Sequence, residues 1–130
     1  MKKINDKGFT LVELLAVLVI LIAIMGIAIP TISSSLERTK DKQNKARYKI
    51  LESAAEQYVT DYKNTVYINL NNLGRNSCFI DLTELSEYLS SDDMKNADGE
   101  DLNGRVIFEK PNNYNYTENS TKWSGLSNCK

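Results

Sequence analysis

From Phe9 to Ile29 the chain runs for 21 residues in which the only ionisable side chain is the carboxylate of Glu13. As an α-helix, at 1.5 Å per residue, this run is about 31 Å long, enough to cross the hydrocarbon core of a bilayer. Its surroundings must be apolar, either lipid or other apolar helices. In such surroundings an isolated carboxylate is costly and normally persists only where a partner neutralises it. Glu13 is therefore the residue that most narrows the purpose of the segment.

The nearest counter-charge would be made rather than encoded. Cleavage after Gly8 would expose an ammonium on Phe9, four residues before Glu13. An α-amino group, with a reference pKa of about 7.7–8.0, is mostly cationic at neutral pH. Within one chain that amine could approach Glu13 at i to i+4; between staggered copies it could meet the Glu13 of a neighbour.

The basic leader (Lys2, Lys3, Lys7), Gly8 before an aromatic, Thr10-Leu11-Val12-Glu13-Leu14 and an apolar stretch closed by Pro30 resemble the class III signal and N-terminal helix of type IV pilins and pseudopilins. The likeness covers about the first quarter of the chain. It implies three parts: a leader (1–8), an apolar transmembrane or filament-core helix (9–30), and a globular head (31–130) that includes the amphipathic half of the long helix. It also implies removal of the leader by a prepilin peptidase on the cytoplasmic side and N-methylation of Phe9, which keeps the positive charge. The chain would sit in the cytoplasmic membrane as a single pass with the head outside. It would then join other pilin subunits in a surface pilus or pseudopilus, through a membrane platform protein and an assembly ATPase system. On this reading Gly8 offers the peptidase no side-chain obstruction, Phe9 carries the amine, Glu13 registers it, and Pro30 shapes the helix for assembly. A secretion pseudopilin and a competence pseudopilin for DNA uptake are the narrower alternatives.

The residues alone also admit a signal-anchored extracellular binding protein. A removable signal usually has a shorter apolar core followed by small residues at its cleavage site, and Gly26, Ala28 and Pro30 blur that distinction. Lipoprotein processing lacks a cysteine near the N-terminus. Charge favours the opposite topology: Arg38, Lys40, Lys42, Lys45, Arg47 and Lys49 follow the span and outnumber the leader's three lysines. The outside placement rests on the resemblance and on both cysteines lying beyond the span.

With 130 residues, 42% of them hydrophobic, the remainder suffices for one small head. Loss of residues 1–8 removes three of 16 cations and one of 17 anions, moving the side-chain balance from −1 to −3. This argues against indiscriminate nucleic-acid binding while leaving room for a local basic patch. Cys78 and Cys129 are an even pair in an exported chain, which favours a disulfide over two free thiols. In the chain-entropy picture a loop of this size contributes about 4 kcal/mol before strain. Two cysteines without histidine make a poor zinc site.

Beyond Pro30, apolar or small positions at Ile32, Leu36, Ala46, Ile50, Leu51, Ala54, Tyr58 and Tyr62 predict that the helix continues with one buried face. Pro30 removes a backbone donor, so a kink or loosened turn is expected near Gly26–Pro30. Val66, Ile68 and Leu70 alternate as in a short strand, and Asp81-Leu82-Thr83-Glu84 reads as a capping box opening a helix through about Ser90. Arg105–Glu109 reads as a strand, Lys110–Asn113 as a turn and Tyr114–Thr117 as the partner strand. The resulting class is α+β: a long N-terminal helix, apolar in its first half, whose C-terminal half packs on a small antiparallel sheet, pilin-like. Asp101-Leu102-Asn103-Gly104 also resembles the Asp-x-x-Gly turn before a strand in pseudopilin heads.

Other chemistry is thin. There is no histidine and no glycine-rich phosphate loop, and serines such as Ser86 lack an evident base, so no catalytic residues are assigned. Paired acids of a glycosidase kind would need a spacing that sequence does not give. Asp98, Glu100 and Asp101 are candidate calcium ligands, because that ion accepts flexible oxygen cages, although the spacing is not that of an EF-hand and a solvated acidic turn is the simpler reading; no other cofactor is expected. Lys40, Lys42, Lys45, Arg47 and Lys49 could meet DNA phosphates, but the acidic balance and lack of interleaved aromatics favour a solvated helix face. The acidic run Asp92–Asp101 could instead face this basic stripe on a neighbouring subunit. Asn115-Tyr116-Thr117 and Asn119-Ser120-Thr121 match the glycosylation pattern, a weak signal in a chain so rich in asparagine.

Overall fold

The computed structural model describes Gly8 and residues 10–130. The expected leader residues 1–7 and the expected methylation site Phe9 lie outside the described residues. In chain order the elements are α1 (Leu11–Asp61), α2 (Lys63–Asn72), β1 (Ser77–Asp81), β2 (Arg105–Glu109), β3 (Asn113–Thr117) and α3 (Ser120–Trp123). This is the α+β arrangement expected from the pattern, a long N-terminal helix with a three-stranded antiparallel sheet in the order β1-β2-β3. The chain divides between Thr39 and Lys40 into two compact units, and α1 contributes to both.

In the first unit α1 is apolar on every side, and its large side chains from Leu11 to Leu36 are all exposed. Pro30 lies inside the helix rather than at its end. The hydroxyls around it turn back onto the helix: Thr31 Oγ1 donates to the Ile27 carbonyl (3.2 Å) and Ser33 Oγ to that of Ile29 (3.1 Å). Such bonding satisfies small polar groups without solvent.

The second unit is built on the later turns of α1. Leu51, Ala54, Ala55, Tyr58 and Val59 are buried there, a stripe with the i, i+3, i+4, i+7 spacing of one helical face. Ile32, Leu36, Ala46, Ile50 and Tyr62, expected on the buried face, are exposed, and Ala55 and Val59 are buried instead. On the sheet, Cys78, Ile80, Val106, Phe108 and Tyr116 face the same core in strict alternation, set by the pairs Cys78↔Phe108, Ile80↔Val106 and Val106↔Tyr116. Phe108 is fully buried, with the Tyr114 ring 5.2 Å and the Tyr67 ring 6.1 Å away.

Two segments differ from expectation. Residues 66–70 are helical, within α2. Val66 and Leu70, four apart, are both buried, whereas Ile68 is exposed; a strand would have put all three on one side. Gly74 ends α2 at φ +63°. Its N–H donates to Asn71 O (3.1 Å) and that of Arg75 to Leu70 O (2.9 Å), the paired bonds of a Schellman cap. The second difference is Leu82–Ser90, which forms successive turns instead of a helix. The capping interaction is present, with Asp81 N–H donating to Glu84 Oε2 at 3.1 Å. Behind it the backbone closes i to i+3 bonds, Leu85 N–H to Leu82 O (3.1 Å) and Tyr88 N–H to Leu85 O (2.9 Å), which bury Leu82 and Leu85 without a regular helix.

Cys78 and Cys129 form a disulfide with Cα atoms 5.0 Å apart. It fixes the chain's last residues along the free side of β1, where Phe79 N–H donates to Ser127 O (3.0 Å) and Cys129 N–H to Phe79 O (2.9 Å). An otherwise open sheet edge is thereby covered. On the other side of the sheet Arg105 pairs with Asp81 (2.7 Å) and lies 4.1 Å from the Phe79 ring and 5.6 Å from that of Trp123.

The Asp101–Gly104 turn has a steric reason for its glycine. A Cβ on Gly104 would stand 2.4 Å from the Thr117 carbonyl oxygen and 2.6 Å from the Tyr116 ring. The Gly104 N–H donates to the Tyr116 hydroxyl (3.1 Å), which itself donates to Glu118 (3.2 Å). Gly104→Ala is expected to destabilise the head by about 1–3 kcal/mol, since a crowded core must shift to admit the methyl. Denaturant unfolding of the full chain in mild detergent, followed by Trp123 fluorescence, measures it; an unchanged midpoint would refute the assigned role.

Candidate functional site

The first turn of α1 holds the lone acid of the apolar segment. Thr10 precedes the helix, and its carbonyl accepts the first helical bond from Leu14 N–H at 3.2 Å. Its side chain and that of Glu13 are exchanged across the turn: Glu13 N–H donates to Thr10 Oγ1 (3.3 Å) and Thr10 N–H donates to Glu13 Oε2 (3.1 Å). This reciprocal pair is a capping box, which satisfies two of the backbone donors that a helix start leaves open. The acid also sits at the positive end of the helix dipole. Thr10 is thus a capping residue that reasoning from charge alone passes over, although Thr10-Leu11-Val12-Glu13 carries the Thr-x-x-Glu signal.

The box uses one carboxylate oxygen of Glu13 and leaves the side chain exposed. The other oxygen has no protein donor among the described residues. The geometry therefore combines a satisfied helix start with a negative charge still available to a partner. The expected partner, the Phe9 amine, lies outside the described residues, as does the bond that would be cut between Gly8 and Phe9. Downstream, Leu11, Val12, Ile27 and Ile29 are each more than 60% exposed. A helix of 18 or more residues with this composition is long and apolar enough to span a bilayer.

In the second unit the acidic segment and the basic stripe meet within one chain. Lys40 forms an ion pair with Asp98. Arg47 donates to the carbonyls of Asp92 and Lys95, both at 2.9 Å, and Asn44 Oδ1 accepts from Ala97 N–H at 2.8 Å. Lys40, Asn44 and Arg47 are spaced four and three apart, one polar stripe of α1 to which the loop is bound. The acidic segment thus engages the basic stripe of its own chain, through one carboxylate, that of Asp98. Beside Asp98 the Lys40 ammonium has its pKa raised, first by the hydrogen bond and then by the charge. Lys42, Lys45 and Lys49 remain exposed and form no ion pair among the described residues.

The calcium candidates are dispersed by these contacts. Asp98 engages Lys40, Glu100 accepts from the Asn96 side-chain amide (3.2 Å), and Asp101 lines an apolar cleft with Leu82, Met94 and Leu102. Among the described residues no three acidic, histidine or cysteine side chains gather about a common point. Of the glycosylation matches, Asn119 caps α3, accepting from Thr121 N–H at 3.0 Å.

Residues 3–29 match the family model described as the prokaryotic N-terminal methylation motif. The chain carries a prepilin-type N-terminus. It is 40% identical over 58 residues to the competence protein ComGC from each of two strains of Streptococcus pneumoniae, an alignment covering 45% of this chain and 54% of each relative. The chain thus spans about half the length of the curated relatives it matches. No solved structure matches it.

Replacing Thr10 by Ala is expected to weaken the first turn by about 1 kcal/mol, the usual worth of such a cap. That corresponds to roughly fivefold faster amide exchange at Val12–Leu14. Hydrogen exchange of the detergent-solubilised chain measures this, and Thr10→Ser should exchange at the native rate. Equal rates for native and Thr10→Ala chains would remove the box from the account.

Proposed function

We propose that the chain is a structural subunit of a type IV pilus or pseudopilus, held in the membrane by α1 and then assembled through it. The observation that carries this reading is the joint one: a methylation motif over residues 3–29 opens directly into a helix whose apolar residues have no cover of their own. Motifs of this type imply processing by a prepilin peptidase and assembly with other pilins. The leader 1–8 would be removed after Gly8, residues 9–30 would form the transmembrane and filament-core helix, and residues 31–130 the head.

Assembly follows from the energetics of that surface. Lipid tails are as apolar as leucine, so helices leave lipid for one another through close packing and satisfied polar groups rather than through the hydrophobic effect. Glu13 supplies the polar term. Its free oxygen would take the Phe9 ammonium of an adjoining copy, while the capping box holds the carboxylate in place. Small residues at Ala23, Gly26 and Ala28 allow close helix approach near Pro30.

The head would lie outside the cell, where the Cys78–Cys129 bond is stable. Among filament systems, a competence pseudopilus is favoured by the likeness to ComGC. The role is structural rather than catalytic, with a platform protein and an assembly ATPase as the machinery that would lift the subunit from the membrane.

Glu13→Ala should leave cleavage intact and reduce incorporation into sheared filaments by tenfold or more, a loss of about 1.4 kcal/mol per tenfold. N-terminal sequencing of the wild-type chain should begin at methylated Phe9. A mature chain starting elsewhere, or full incorporation of the Glu13→Ala chain, would overturn this function.

A further inference from the structure

In the second unit the end of α1 and the turns after β1 form an aromatic and acidic cavity. The Tyr58 and Tyr62 rings lie 5.0 Å apart, and Tyr88 stands edge-on to Tyr58 at 6.4 Å, its hydroxyl donating to Asp61 at 2.7 Å. Tyr58 and Tyr62 line a cavity of about 230 Å³ together with Glu84, Glu87 and Lys130.

Tyr58 is 4% exposed, and its buried hydroxyl has no hydrogen-bond partner, an unusual condition for a buried polar atom. Burial first, then the Glu84 charge, pushes its pKa up to about 12. Glu84 is engaged from one side by Asp81 N–H and the Asn128 amide, whereas Glu87 is exposed and forms no ion pair among the described residues. Lys130 reaches the rim without forming an ion pair there.

Tyrosine rings beside carboxylates attract cations. A metal ion is a poor occupant, because among the described residues no three suitable ligands converge. An ammonium needs only what the cavity's surface presents: the exposed Tyr62 ring and the carboxylates of Glu84 and Glu87.

The chain carries such ammoniums elsewhere, unspent. Lys42, Lys45 and Lys49 are spaced three and four apart, one stripe of α1. At 100° per residue that stripe is about 180° around the helix from the Leu51–Ala54–Tyr58 side. Lys49, the nearest, is nine residues from Tyr58, or about 13 Å along the axis and on the far side of the helix. A lysine of the same helix cannot reach the cavity, but one from another copy can.

We propose that the cavity formed by Tyr58, Tyr62, Glu84 and Glu87 receives a lysine ammonium, that of Lys45, from a second copy of this chain. The inference rests on the filament reading and adds a head-level contact to it. Between parallel copies, Lys45 meets Tyr58 at an axial displacement of about 13 residues, or roughly 20 Å. The Phe9–Glu13 pairing would require only about 6 Å, so the two contacts join different pairs of neighbours.

Because both native cysteines are taken up in the disulfide, introduced thiols are the only reactive ones. In filaments of the full chain carrying both Lys45→Cys and Glu87→Cys, mild oxidation should produce a ladder of covalent dimers and higher species, and neither single variant should extend beyond a dimer. Glu87→Lys should lower filament yield by roughly threefold to tenfold, and Lys45→Glu in the same chain should restore it, the range expected for one partly exposed cation site. Abundant filaments with no ladder, or a Glu87→Lys chain that assembles normally, would overturn this inference and leave the filament function standing. If Lys130→Ala reproduces the Glu87→Lys defect and Lys45→Ala does not, the cavity serves the chain's own lysine and the proposal is wrong. A wild-type chain that is processed yet never forms filaments would sink the function itself, and this contact with it.

Discussion

A carboxylate in an apolar helix is costly unless its oxygens find donors, and Glu13 finds one of them in its own first turn. The Thr10 N–H, supplied by its own chain, holds one oxygen at 3.1 Å. On the proposed function the second oxygen would take a charge brought from a neighbouring copy. The division matters because an acid wholly dependent on a neighbour would be exposed to its full desolvation cost while the subunit waited in the membrane. An acid wholly satisfied at home would have no reason to select a neighbour. The capping box lowers the cost of waiting, and the free oxygen keeps the specificity.

The head solves a different problem, that of a small domain short of core. Its apolar interior is one layer thick, with the Leu51–Val59 stripe on one side and alternate residues of three five-residue strands on the other. A domain of this size gains from covalent and polar ties that a larger core would not need. Cys78–Cys129 draws the chain's last residues along β1, and the loop at 92–101 is bound to α1 through Lys40, Asn44 and Arg47. These ties reach segments that contribute few buried side chains of their own, Leu102 being the main exception.

How much of this is legible in the sequence depends on the range of the interaction. Arg105–Glu109 and Asn113–Thr117 can be read because alternation and a Pro-Asn turn are local signals, and the hairpin they make pairs adjacent segments. The helix through Pro30 is legible because apolar positions resume beyond it. β1 is not, because its partners are Arg105–Glu109 and the chain's last residues, and five residues with one aromatic carry little signal by themselves. Val66–Leu70 is ambiguous in principle, since three apolar residues at alternate positions also satisfy i and i+4; burial of Val66 and Leu70 beneath the sheet decides between them. At the candidate site Glu13 stands out as a charge, while Thr10 needs the helix start to be placed before its role can be seen. The acidic loop is the reverse case: its composition suggests solvent or a partner, and only the 40, 44, 47 spacing on α1 hints that its receptor is in the same chain.

The distribution of basic residues on α1 then acquires a physical logic. Those at positions 40 and 47 lie on the side that meets the head and are consumed in holding it. Lys42 and Lys45 stay exposed, whereas Lys49 stands with Glu52 and Glu56 beside Asn113 and Tyr114 of β3. Glu52, on the same side of α1, is half-buried and accepts from Tyr116 N–H at 3.0 Å, so this side of the helix also holds the sheet. Lysines three and four apart repel one another along that face, and Asp41, four residues before Lys45, and Glu52, three after Lys49, offset the repulsion at either end, so the charge pattern of this stretch is settled largely within the chain itself.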